Sequence, residues 1–295
     1  MSLSGRTIGA CEVGPELGRG GMGTVYKAQC VRPGPGGDPG SVVAIKVFHP
    51  ELIEDERIFQ RFRREAELGM RIQHPNVVRT HEIGREEVAG EVWHYMVMEL
   101  VEGQTLRDLL TDLEVLPDNL IYQVADQVLD ALGAVHAHGM IHRDVKPDNI
   151  VLTHEHRVLL MDLGVARLQQ EGRDLTRAGE FVGSVPYAAP EQFTDQDHVG
   201  PLADLYSFGV VLYETATGRN PFGSPELTTV LHQKLNGQWR RPRLVLRGVD
   251  PFLEEIIQTC LQTDPSARFA SCAEEPSLAT DVTLERSLPN NLEAE

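Results

Sequence analysis

Ile141-His-Arg-Asp144-Val-Lys146-Pro-Asp-Asn149 is the stretch whose reading decides the fold. Within it stand a carboxylate at 144, an ammonium at 146 and an amide at 149. Just upstream, residues 118–137 place Ile121, Val124, Ala125, Val128, Leu129, Leu132 and Val135 at helical spacing, and Asp118 after Pro117 is expected to cap the start. Gly139 follows that helix, so the quoted residues lie in a loop. The combination fits phosphoryl chemistry. Asp144 can accept a hydroxyl proton, Lys146 can neutralise charge on a transferring phosphoryl group, and Asn149 can ligate a hard cation through its amide oxygen.

Further motifs lie on either side. Downstream, Met161-Asp162-Leu-Gly164 follows the apolar run Val158-Leu-Leu, and Asp162 at the end of such a strand is a candidate metal ligand. Upstream, Gly18-Arg-Gly-Gly-Met-Gly23 matches G-x-G-x-x-G, which has two readings. A dinucleotide site needs a helix directly after the glycines. Here Thr24-Val-Tyr-Lys-Ala alternates like a strand, which fits a glycine-rich hairpin folded over nucleotide phosphates. Val43-Ala-Ile-Lys46 sets a lysine among apolar strand residues, either a snorkelling edge lysine or a phosphate-binding cation held by a carboxylate. Glu65 is the candidate for that carboxylate, and Glu67, on a different helix face, is its rival.

Glycine-rich hairpin, Val43-Ala-Ile-Lys46, helix glutamate, His142-Arg-Asp144 loop, Asp162-Leu-Gly164 and Ala189-Pro-Glu191 occur in one order with sensible spacing. Over residues 10–272 this resembles the catalytic domain of eukaryotic-type protein kinases, in particular the serine/threonine kinases of bacteria. Asp204-Leu-Tyr-Ser-Phe-Gly209 is similar to the family's buried helix that anchors the catalytic loop, and Arg268 to the partner of Glu191. The resemblance implies an α+β fold with a small β-rich lobe and a larger helical lobe. It also implies transfer of the γ-phosphoryl group of ATP to serine or threonine hydroxyls, with autophosphorylation in the activation loop.

Residue roles follow from the same resemblance. Gly18, Gly20, Gly23, Val25, Ala44 and Lys46, with Glu65 as its partner, would bind ATP. Met98 resembles the gatekeeper, and Glu99 and Val101 the hinge that binds adenine. Asn149 and Asp162 would hold Mg²⁺, or Mn²⁺ in its place, while Asp144 and Lys146 act on the acceptor and the transferring group. Ser184 would support substrate docking, and Thr176 is the expected phosphosite, read out through Arg143. Leu163 replaces the usual Phe, residues 32–40 lengthen an early turn, and the chain after Arg268 lacks the family's apolar helix. A nucleotide-binding scaffold without catalysis usually lacks one of the positions that Lys46, Asp144 and Asp162 fill here. A small-molecule kinase would not need Ala189-Pro-Glu191, which resembles a peptide-docking platform.

Composition agrees with such a chain and excludes other classes. It has 295 residues, 41% hydrophobic and 24% charged, with a net charge of −17. That balance argues against nucleic-acid partners; the resemblance implies a protein acceptor, with self-association for autophosphorylation. Cys11, Cys30, Cys260 and Cys272 form no C-x-x-C pair, which fits reduced thiols. Neither a signal peptide nor a membrane-length apolar run is read, so a cytoplasmic location is expected, tethering through a further C-terminal region being left open. His136/His138 and His154/His156 read as helix and loop histidines rather than metal ligands. Only four lysines occur, at 27, 46, 146 and 234, a hint that an ammonium is required where one stands.

Coarse patterning orders the rest. Residues 13–48 read as strands interrupted by the Gly/Pro loop at 32–40, 55–72 as a charged helix, and Val92–Leu100 as a strand. Helical signals recur at 204–217, 225–236 and 251–262. The expected limits are an extension at 1–9, an N-lobe at 10–100, a C-lobe at 101–272 with the hinge at 99–103, and a poorly ordered acidic tail at 273–295.

Overall fold

Alternating burial builds the first half of the chain. In the computed structural model, which describes residues 3–50, 56–88, 90–163, 184–195 and 198–274, six strands form one antiparallel sheet. They are β1 (Thr7–Ile8), β2 (Cys11–Gly20), β3 (Gly23–Cys30), β4 (Val42–Phe48), β5 (Thr80–Val88) and β6 (Glu91–Glu99), in the order β1-β2-β3-β4-β6-β5. β4 is buried from Val43 to Phe48, as a central strand covered on both faces must be. Its period of two sorts those side chains. Val43, Ile45 and Val47 join Ile8, Tyr26 and Val97 on one face. Ala44 and Phe48 join Met22, Met96 and Met98 on the other, where Phe59 and Ala66 of α1 (Glu56–Gly69) cover them. Lys46 therefore shares its face with Ala44 and Phe48.

The strand after the glycines is β3, and no helix follows Gly23, so the hairpin reading holds. β2 pairs with β3 through two register shifts between Val13 and Gly18, which bend the strand where it approaches the turn. Gly23 is required sterically: a Cβ there would lie 2.2 Å from the Val47 carbonyl oxygen.

Past residue 100 the pattern becomes helical. A three-stranded sheet of β7 (Gly103–Thr105), β8 (Ile150–Thr153) and β9 (Val158–Leu160) frames the quoted loop. Around it stand α2 (Leu106–Leu113), α3 (Asp118–Ala137), α4 (Glu191–Thr194), α5 (Leu202–Thr217), α6 (Leu227–Leu235), α7 (Pro242–Val245) and α8 (Pro251–Cys260). Thr105 and Asp108 close a reciprocal capping box on α2. The capping expected of Asp118 is not made. Pro117 holds the cap position without a side-chain bond, and Asp118 is the first helical residue, where its charge meets the positive end of the helix.

α5 is buried all round and central: every residue from Ala203 to Thr217 is enclosed. Phe208, Val210 and Val211 are fully enclosed, and burying such side chains contributes about 1.5–3 kcal/mol each. Gly209 lets α8 approach, since a Cβ there would sit 2.5 Å from Cys260 Cβ. The acidic tail expected at 273–295 lies outside the described residues beyond 274.

Candidate active site

The quoted loop is held from below by one carboxylate. Asp204, fully buried at the start of α5, accepts from the backbone N–H of His142 at 2.8 Å and of Arg143 at 2.7 Å, and pairs with His136 Nε2 at 2.8 Å. These bonds hold Arg143 at φ 67°, a conformation costly for a residue with a Cβ. Gln192 Nε2 adds a bond to the Arg143 carbonyl. From the same loop, His142 Nε2 meets the Met161 carbonyl at 2.8 Å, joining it to the chain just before Asp162.

The three polar groups of the loop converge. Lys146 Nζ lies 2.8 and 3.1 Å from the Asp144 carboxylate oxygens and 2.9 Å from Ser184 Oγ. Asn149 Nδ2 donates to the Asp144 carbonyl at 2.8 Å and to Asp144 Oδ2 at 3.0 Å. The amide is thus fixed with its nitrogen turned to Asp144 and its oxygen on the other side. Ser184 therefore stands beside Lys146 and Asp144.

From β4, Lys46 Nζ pairs with Asp162 Oδ2 at 2.6 Å, the lysine side chain being 7% exposed. Burial by itself would raise the Asp162 carboxyl, but Lys46, its hydrogen bond, Lys146 and His142 hold it below its ordinary value of 3.8. The Glu65 side chain, the expected partner of Lys46, lies outside the described side chains, as does Thr176 with the whole of 164–183.

The apolar residues expected around adenine also meet. Ala44 lies opposite Met98 across β4 and β6, and Val25 opposite Lys46 across β3 and β4. Ala44 and Met98 belong to one buried cluster against which Val25 and Val101 pack. Glu99 ends β6 and pairs with Arg157 at 3.3 Å. Leu159 and Met161 join the same cluster, and sequence reading missed them because nothing in a β-strand run marks which residue meets a strand far away in the chain. A Cβ at Gly18 or Gly20 would meet nothing within 4 Å, so packing does not require glycine there.

Hard oxygen donors suit a divalent cation that also takes phosphate oxygens and water. The Asp162 carboxylate and the Asn149 amide oxygen fit that donor set. Among the described residues no group of three His, Cys, Asp or Glu side chains could hold a metal. The paired histidines have structural partners instead: His136 meets Asp204, and His138 Nδ1 meets the Ala134 carbonyl at 2.8 Å.

A glycine-turned hairpin, a lysine paired with Asp162, and a loop that gathers acid, ammonium and amide make a set suited to moving a phosphoryl group. In a two-lobed α+β fold these features define the class of protein kinase catalytic domains. The chain belongs to the protein kinase domain family, whose pattern its residues 11–276 match. It is 39% identical over 85% of its length to serine/threonine-protein kinase PkaA of Streptomyces coelicolor, covering 46% of that protein. It is 35% identical over 89% of its length to serine/threonine-protein kinase PknB of Mycobacterium tuberculosis, covering 41%. The chain thus spans less than half the length of these relatives. The kinase domain of Mycobacterium tuberculosis PknI superposes with a TM-score of 0.72 at 27% identity, over 95% of this chain and 99% of that one. No helix among the described residues is long and apolar enough to cross a membrane.

Proposed function

We propose that the chain is an ATP-dependent protein serine/threonine kinase that transfers the γ-phosphoryl group to protein hydroxyls and to itself. The observation that carries this reading is Lys146 bridging Asp144 and Ser184 while Asn149 bonds Asp144. Asp144 orients the acceptor hydroxyl and takes its proton. Lys146 neutralises charge on the group in transit, and Ser184 supports the acceptor chain. Lys46, partnered by Glu65, binds the α- and β-phosphates. Gly18, Gly20 and Gly23 bring backbone N–H groups to the phosphates, and the open space at the first two leaves room for them. Adenine lies among Val25, Ala44, Met98, Glu99 and Val101. Asn149 and Asp162 hold Mg²⁺, or Mn²⁺ in its place, which when bound neutralises phosphate charge. Catalysis here is chiefly positioning and charge neutralisation, as a loose phosphoryl transition state requires.

The same reading proposes lobe limits at 10–100 and 101–272 with the hinge at 99–103, a cytoplasmic location, self-association for autophosphorylation, and Thr176 as the phosphosite. The test is incorporation of labelled phosphate from ATP with Mg²⁺ into the chain and into myelin basic protein, beside Asp144→Asn. Label in the native chain and its loss in the variant support the reading, and mass spectrometry then locates the modified residue. A native chain that binds ATP but labels nothing sinks it in favour of a nucleotide-binding scaffold.

A further inference from the structure

Two of the four lysines, Lys46 and Lys146, belong to the site above. Lys234 does not, yet it is the most enclosed of them: it lies in α6 and is 0% exposed. Its Nζ donates to the Pro186 carbonyl at 2.8 Å and stands 4.1 Å from the ring centre of Phe222 and 4.9 Å from that of Tyr206. Among the described residues no carboxylate lies within ion-pair distance of it. The acid whose field reaches it, Glu191, is already engaged by Arg268 at 2.7 Å, and Arg268 also lies 4.9 Å from the Tyr206 ring. Burial pushes this ammonium far down from its ordinary value.

Core packing does not ask for such a group. An apolar side chain of equal length would fill the space without the cost of removing an amine from water. What the amine does supply is an anchor for one carbonyl of the segment that faces the acceptor. In that segment Ser184 Oγ accepts from Lys146, and the backbone N–H groups of Tyr187 and Ala188 close a turn on the Ser184 carbonyl at 3.0 and 3.1 Å. Lys146 thus holds the front of the turn and Lys234 its middle.

We propose that Lys234 is a positioning residue for acceptor recognition: its Nζ, seated against Phe222 and Tyr206, fixes the Pro186 carbonyl and thereby the turn Ser184–Ala188 on which the protein acceptor rests. The proposal rests on the kinase reading and on the acceptor-side place of Ser184.

The test is Lys234→Met, which keeps the length and removes the donor. With myelin basic protein as acceptor, kcat/KM falls about tenfold, chiefly through KM, as loss of the one buried hydrogen bond that fixes the turn implies. KM for ATP stays within about twofold, because no nucleotide contact has changed. Tm stays level or rises, because a buried amine without a carboxylate has been replaced by an apolar chain. That opposition of stability and acceptor affinity is the signature of positioning. A fall in Tm with acceptor KM unchanged, or acceptor and ATP constants moving together, overturns the proposal. Should the variant not fold, the native chain decides. Lysine ¹⁵N labelling gives four side-chain signals, and that of Lys234, the one best protected from solvent, must shift on saturation with myelin basic protein; a stationary signal overturns the proposal. A native chain that transfers no phosphate is a failure of the kinase reading, seen before any variant is made.

Discussion

Burial of a carboxylate is unfavourable unless a cation answers it, and Asp162 with Lys46 is that case. Burial opposes the charged form, but Lys46 at 2.6 Å prevails and the folded carboxyl titrates below its ordinary 3.8. A depressed value stabilises the fold fully above the ordinary value, and that stabilisation is lost as pH falls through the folded one. Lys46→Met is therefore expected to cost about 1–3 kcal/mol at neutral pH. The gap between native and variant chains should close as pH falls below the ordinary 3.8 and through the lower value of the folded carboxyl, read by urea denaturation across that range. Asp144→Asn is expected to lower phosphoryl transfer by about a hundredfold to ten-thousandfold with ATP affinity retained, since it removes the base and keeps the shape. Rate and nucleotide titration check the two halves of that statement separately.

Among the elements, the glycine-rich hairpin separates functional from steric glycines. Gly20 has open space at its Cβ position, whereas Gly23 is pressed against the Val47 carbonyl. Gly20→Ala should leave Tm within a degree or so while raising KM for ATP several-fold, because a methyl group would intrude where phosphates approach. Gly23→Ala should lower Tm by moving β3 away from β4. Thermal melts with and without ATP distinguish the two. At the crossing of α5 and α8, Gly209→Ala puts a methyl group 2.5 Å from Cys260 Cβ. Overpacking of this kind costs about 1–3 kcal/mol, and Gly209→Ala with Cys260→Gly should recover part of it in equilibrium unfolding.

For the whole molecule, Arg268 joins distant parts of the helical lobe. Its guanidinium is 0% exposed, grips both Glu191 oxygens at 2.7 and 2.9 Å, and bonds the carbonyls of Leu202, Gln262 and Thr263. Removing one side of such a pair leaves a charge buried alone, so Arg268→Ala should cost about 3–5 kcal/mol, visible as a lower urea midpoint. The sequence by itself determined the elements with strong periodicity. α3 covers the expected residues 118–137, and α5, α6, α8 and the early strands fall within a few residues of their expected places. It also determined the order of the motifs, because each motif packs its chemistry into a few adjacent residues. β5 went unread because its run of Glu82, Arg85, Glu86 and Glu87 hides the alternation, and α2 because it has only eight residues. Tertiary structure alone decided the pairings: Lys46 with Asp162, His136 with Asp204, Lys234 with Pro186. Those partners stand 116, 68 and 48 positions apart. Local propensity acts over a few residues, so only the packing of elements distant in sequence could bring such groups within hydrogen-bond reach.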